Sequence, residues 1–209
     1  MVDSYRTLRK AVHTELKRKG SRFIAEAYPV EDAAAADAQI ESVRAREHQA
    51  THHCTAYRVG PTGDTFRYDD DGEPSGTAGP PILQQIDARD LTNTLVVVTR
   101  YYGGTKLGTG GLIRAYGDAA SGALDAAATK ETVIRVPVAV TFQYDDTIPA
   151  EQVLRQFDTA RLNESYTDVT HWVIGLRPSR VDDFVEAMTN ALGGRATIVP
   201  APEKPDTAD

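Results

Sequence analysis

Apolar and polar positions alternate over Ser21 to Tyr28, the period of a half-buried strand, and His52 to Val59 reads as a second strand. Between them, Ala33, Ala36, Ile40, Val43 and Ala45 recur near helical spacing, which predicts a helix over Glu31 to Glu47 with acidic residues in its first turn. Gly60 to Asp64 reads as a turn, and Thr65 to Tyr68 as a short strand pairing back across it. From Asp69 to Gly79 the pattern stops and glycine and proline take over, so a loop is expected. Pro80-Pro81 suits the first turn of a helix running through Ile82 to Ala88. Leu95 to Arg100 is a continuous apolar run, the mark of a strand buried on both faces. The longest helix starts at Thr109 or Gly110 and ends near Thr129, with Leu112, Ala115, Tyr116, Ala119, Ala123 and Leu124 as its inner face.

The pattern resets at Lys130-Glu131. Thr132 to Tyr144 reads as one strand in which Pro137 predicts an edge or a bulge. A helix over Ala150 to Asn163, strands over Ser165 to Thr170 and His171 to Leu176, a helix over Pro178 to Leu192 and a strand over Arg195 to Val199 follow. That order, β-α-β-β-α-β, is the ferredoxin-like order. The expected organisation is therefore α+β: a first domain over residues 1–131, a second over 132–200, and a disordered tail over 201–209 that is rich in proline and charge.

Charge narrows the function classes. The chain has 209 residues and a net charge of −7, which argues against a protein that coats nucleic acid without selectivity, and no DNA partner is expected. One basic arm departs from this balance: Arg6, Arg9, Lys10, Lys17, Arg18 and Lys19, read either as a solvated strand and turn or as part of a basic rim. Cys54 is alone, which excludes an intramolecular disulfide and fits a reducing compartment. The first residues lack the apolar core of a signal peptide, and no apolar run approaches the roughly 18 residues of a membrane span. A cytoplasmic protein with no membrane partner is expected.

The candidate chemistry concentrates between Asp70 and Asp118, where Gly72, Gly76, Gly79, Gly103, Gly104, Gly108, Gly110 and Gly111 fall. A β-branched strand, a glycine loop and a helix start are the parts of an anion site, because amides at a helix N-terminus point outward unpaired and the helix dipole adds positive charge. Arg100, Lys106 and Arg114 surround that point, Thr109 opens the helix, and Tyr101 or Tyr102 is placed to stack on a base. Neither the P-loop spacing nor G-x-G-x-x-G is met. A phosphate cradle and tight strand-to-helix packing both remain open as reasons for the glycines.

The acidic run Asp69-Asp70-Asp71 with Glu73 has three readings: an oxygen-ligand cation site, a turn, or carboxylates that order Arg100 or Arg114. Ser75 and Thr77 are turn hydroxyls with no assignable base. His52 and Cys54 share one side of a strand, too few ligands for zinc. No metal, cofactor or catalytic residue is expected. The candidate binding set is Asp71, Glu73, Ser75, Arg100, Tyr101, Gly103, Gly104, Lys106, Gly108, Thr109, Gly110, Gly111 and Arg114.

DDGEPSGTAG, followed further on by VVVTRYYGGTKLGTGGLIRAY, resembles the signature of the YigZ/IMPACT family, with Tyr102 where the usual pattern has phenylalanine. The resemblance implies a first domain similar to a ribosomal-protein fold also found in domain IV of elongation factor G. It also implies a second domain similar to that factor's ferredoxin-like last domain. It implies a role in translation, with the ribosome, RNA or a translation-related protein as partner, and carries no reaction; the leading reading is a non-enzymatic regulator or RNA- or ribosome-binding protein. The alternative reading is an enzyme or binding protein for a phosphorylated small molecule or nucleotide, cradled by the glycine loop.

Overall fold

A computed structural model of the chain describes residues 1–201. These divide into two compact units, one of Tyr5–Thr132 and one of Met1–Ser4 with Val133 onward. All but the first residue of the expected tail lies outside the described residues. Ala201 itself still bonds the second sheet, its amide donating to the Pro137 carbonyl at 3.0 Å.

The first unit is built on a five-stranded antiparallel sheet of β2 (Val12–Arg18), β3 (Ser21–Pro29), β4 (His52–Val59), β5 (Thr65–Asp69) and β6 (Thr94–Tyr101), in the order β2-β3-β6-β4-β5. The apolar run makes β6 the central strand. Val96 and Val98 enter the core beneath α2 (Gly79–Asp87) and α3 (Thr109–Ala126), while Leu95 and Val97 enter the core beneath α1 (Ala33–Arg46) on the other face. Alanine is the common residue where α3 meets the sheet: Ala115, Ala119, Ala120 and Ala123 are buried against Ala25 and Ala27 of β3. Such small side chains let the helix lie close.

Two helix ends in the first unit differ from expectation: α3 stops at Ala126 and not near Thr129, where the next strand begins, and α1 starts later. The acidic residues expected in the first turn of α1 lie just before it, and the Asp32 carboxylate caps the helix by accepting from the Ala35 amide at 2.8 Å. The expected single basic strand before Gly20 is two strands. Of these, β1 (Ser4–Leu8) pairs with β7 (Thr129–Val133) and β2 joins the main sheet.

The second unit runs β8 (Val136–Phe142), α4 (Thr147–Leu154), β9 (Thr159–Tyr166), β10 (Thr170–Leu176), α5 (Val181–Ala191) and β11 (Thr197–Pro200), with the antiparallel sheet order β11-β8-β10-β9. This is the ferredoxin-like order expected from periodicity. Val138, Val140 and Phe142 of β8 and Trp172, Ile174 and Leu176 of β10 pack beneath Phe184 and Met188 of α5.

Three expectations are corrected here. The strand over Thr132 to Tyr144 is two strands, because the chain leaves the β1 pairing at Val133 and enters a different sheet at Val136. Residues Thr159 to Asn163, expected as helix, form β9, an edge strand exposed along most of its length. Pro137 lies neither on an edge strand nor at a bulge, since β8 is interior. It pairs with Gly175 of β10, and its carbonyl accepts from Ala201 just past the last β11 pair, Pro200 with Val138, so the missing amide proton faces the end of the β11 ladder and not β10.

Candidate functional site

The two breaker-rich loops meet at one cleft of about 560 Å³. The loop before α2 supplies Glu73 and Pro74. The loop between β6 and α3 supplies Tyr102, Lys106, Leu107, Gly108 and the first residue of α3, Thr109; Thr51, His52, Arg100 and Leu112 complete the lining.

The acidic run holds the first loop together. One oxygen of Asp70 accepts from the amides of Ala78 (2.9 Å) and Gly79 (2.8 Å), the start of α2, and the other accepts from Gly76 (2.7 Å). Asp71 accepts from the His53 amide at 2.6 Å and lies 3.4 Å from a guanidinium nitrogen of Arg44. Asp69 accepts from the Asp71 amide. Each of these carboxylates therefore serves the turn, and among the described residues no group of three or more His, Cys, Asp or Glu is disposed to hold a metal ion.

At the floor, Arg100 and Glu73 form a buried ion pair at 2.5 Å. The same Glu73 oxygen accepts from the Tyr116 hydroxyl at 2.7 Å, and His52 Nε2 lies 3.9 Å from it. His52 Nδ1 is 2.7 Å from the Asp71 carbonyl. A carbonyl only accepts, so Nδ1 carries a proton. Burial pushes the thiol of Cys54 and the hydroxyl of Tyr116 far above their ordinary pKa values, which keeps both neutral. Arg100 is 5% exposed, and its Nε has no hydrogen-bond partner.

The glycines divide by cause. A Cβ on Gly103 would stand 1.9 Å from the Gly20 carbonyl carbon, so backbone packing against the β2–β3 turn demands glycine there. Gly108, at the N-cap of α3, has φ +72° and no side chain caps the helix. Gly110 has neither cause: its φ is ordinary and an added Cβ would meet nothing within 4 Å.

The cleft collects Glu73, Arg100, Lys106, Gly108 and Thr109 from the expected set, with Gly110 and Gly111 following in the first turn of α3. Gly103 and Gly104 form the turn that leads in. Four residues lie elsewhere. Tyr101 extends from the opposite face of the sheet, its hydroxyl donating to Glu47 at 2.8 Å and its ring under the Arg22 guanidinium. Asp71 is absorbed in its turn, Ser75 is exposed away from the cleft lining, and Arg114 is exposed with Nε donating back to the Gly110 carbonyl. Sequence reasoning missed His52 as a cleft residue. It left Tyr101 and Tyr102 as alternatives, and the cleft takes Tyr102. The signal was strand parity: Arg100 and Tyr102, two residues apart, share the side that Tyr101 does not.

This fold and site define a two-domain α+β protein with a glycine-loop cleft in its first unit. A family model described as the Impact N-terminal domain matches residues 19–124, and a domain of unknown function (DUF1949) matches residues 140–195. The chain is 34% identical over 198 residues to the IMPACT family member YvyE of Bacillus subtilis, covering 95% of this chain and 91% of that protein. It is likewise 34% identical over 183 residues to the IMPACT family member YigZ of Escherichia coli, covering 87% and 90%. A solved structure described as that of a hypothetical protein superposes with a TM-score of 0.70 at 32% identity, covering 98% of this chain and all of that one. The chain belongs to the YigZ/IMPACT family. No helix among the described residues is long and apolar enough to cross a membrane.

Proposed function

We propose that the chain is a cytoplasmic, translation-associated RNA-binding protein that acts by binding rather than by catalysis, and that its cleft receives a backbone phosphate of single-stranded RNA. The observation that carries this reading is the uncapped N-terminus of α3 opening beside Lys106. An 18-residue helix without a side-chain cap leaves the amides of Thr109 and Gly110 without intrahelical acceptors, the Gly111 and Leu112 amides donating to the Gly108 carbonyl, and its dipole favours an anion. Lys106 is exposed and makes no ion pair among the described residues, so its ammonium is available to the same phosphate. The open space at Gly110 lets a phosphate approach the backbone closely. Tyr102, 46% exposed with its ring 5.4 Å from the Arg100 guanidinium, offers a face on which a base stacks for about 1–3 kcal/mol. The link to translation rests on the family resemblance.

Titration of a fluorescent single-stranded RNA tests the reading. Binding should weaken linearly with salt on a double-logarithmic plot. No binding at low salt would overturn it; if a mononucleotide then raised the melting temperature, the cleft would be a small-phosphate site instead.

A further inference from the structure

The cleft leaves the basic arm unexplained, and the structure separates that arm into spent and available cations. Arg6 and Arg9 donate to the backbone carbonyls of Arg89 and Thr129. Arg18 pairs with Asp118 of α3 at 2.9 Å. Lys19 is exposed at the β2–β3 turn and makes no ion pair among the described residues. Lys17, with a side chain 79% exposed, reaches Glu15 only at 3.6 Å.

That turn is tied to the glycine loop. Gly20 packs so closely on Gly103 that a Cβ on it would stand 2.8 Å from the Gly103 carbonyl oxygen. The Ser21 hydroxyl accepts from the Gly103 amide at 3.2 Å and from Arg100 Nη2 at 3.3 Å. Lys19 is therefore one residue from the contact, and Lys106 three residues from it on the other side. Lys19 and Gly20 have φ of +45° and +81°, as the two central residues of a type I′ hairpin turn closed by Arg18 and Ser21.

We propose that the β2–β3 turn is a second phosphate contact: an RNA strand held at the start of α3 runs across Gly103 and Gly20, and Lys19 binds a flanking phosphate, with Lys17 behind it. This inference rests on the RNA reading above. In a protein of net charge −7, two unpaired lysines on either side of one backbone contact concentrate positive potential along a path instead of spreading it over the surface.

The test compares Lys19→Ala with Lys10→Ala in the full chain, using a single-stranded RNA of about ten nucleotides at several salt concentrations. Lys10 precedes the far end of β2, about seven strand residues or roughly 23 Å from the turn, and its replacement removes the same charge. Lys19→Ala should lower the salt slope by about 0.7, one single-strand phosphate contact, while Lys10→Ala leaves it unchanged. Unchanged melting temperatures would show that both variants fold. Equal slopes for the two variants would overturn the second contact while leaving the cleft reading intact. Absence of RNA binding by the unmutated chain would overturn both.

Discussion

Arg100 and Glu73 meet in a buried ion pair at 2.5 Å, joining the central strand β6 to the loop that precedes α2. Both stood in the candidate binding set, and the ordering of Arg100 by a carboxylate of the acidic run was one of the three readings of that run. The structure realises that reading: the two neutralise each other, and the Tyr116 hydroxyl completes the carboxylate's shell. Their role is to hold the cleft's floor in place, which leaves Lys106 and the start of α3 as its accessible positive groups.

Glu73→Ala therefore strands a buried guanidinium. Removing one partner of a buried pair costs about 3–5 kcal/mol. Denaturant unfolding of the variant should show a loss of that order. A change below about 1 kcal/mol would mean that Arg100 finds water or another acceptor.

Cys54 is fully buried, and its thiol donates to the Asp70 carbonyl at 3.1 Å. Burial pushes its pKa up, so the reactive thiolate is suppressed at ordinary pH. An aromatic disulfide reagent at pH 8 should leave the folded protein unmodified and titrate one thiol once denaturant unfolds the chain. Rapid modification of the folded protein would contradict the packing of β4 against the first loop.

In the second unit, hydrogen bonds from Arg135 and then Arg177 hold the Asp158 carboxyl below its ordinary pKa of 3.8. A carboxylate with a depressed folded pKa contributes stability that is fully present above the unfolded value and is lost as pH falls through the folded one. Stability of the unmutated protein should decline as pH drops below about 4, and Asp158→Asn should reduce that decline. Parallel pH profiles for the two proteins would show that the pair contributes nothing in solution.

Much of the architecture was legible because burial and periodicity coincide. The double-sided apolar run of β6 marked the central strand, and the alanine face of α3 marked the helix packed on the sheet. β9 was not legible because most of its side chains face solvent: a strand with no buried face has no alternation to show, and Arg161, Leu162 and Glu164 favour helix on propensity alone. At the site, the anion-binding logic of strand, glycine loop and helix start was visible in residue types. What each charge does stayed open among three readings, because the choice of partner across 27 residues, as between Glu73 and Arg100, is set by the sheet and not by spacing. Gly103 shows the same limit, since its reason lies in Gly20, a contact that only folding creates.

The central claim is that α3 and Lys106 together hold a phosphate of RNA, and the salt dependence of Lys106→Ala measures it most directly. In a fluorescence titration of single-stranded RNA, the variant should bind more weakly by a similar factor across different sequences. Its slope of log affinity against log salt should be smaller by about 0.7 than that of the unmutated chain, at an unchanged melting temperature. An unchanged affinity and slope for Lys106→Ala, with RNA binding intact in the parent, would place the nucleic-acid site elsewhere and contradict the account.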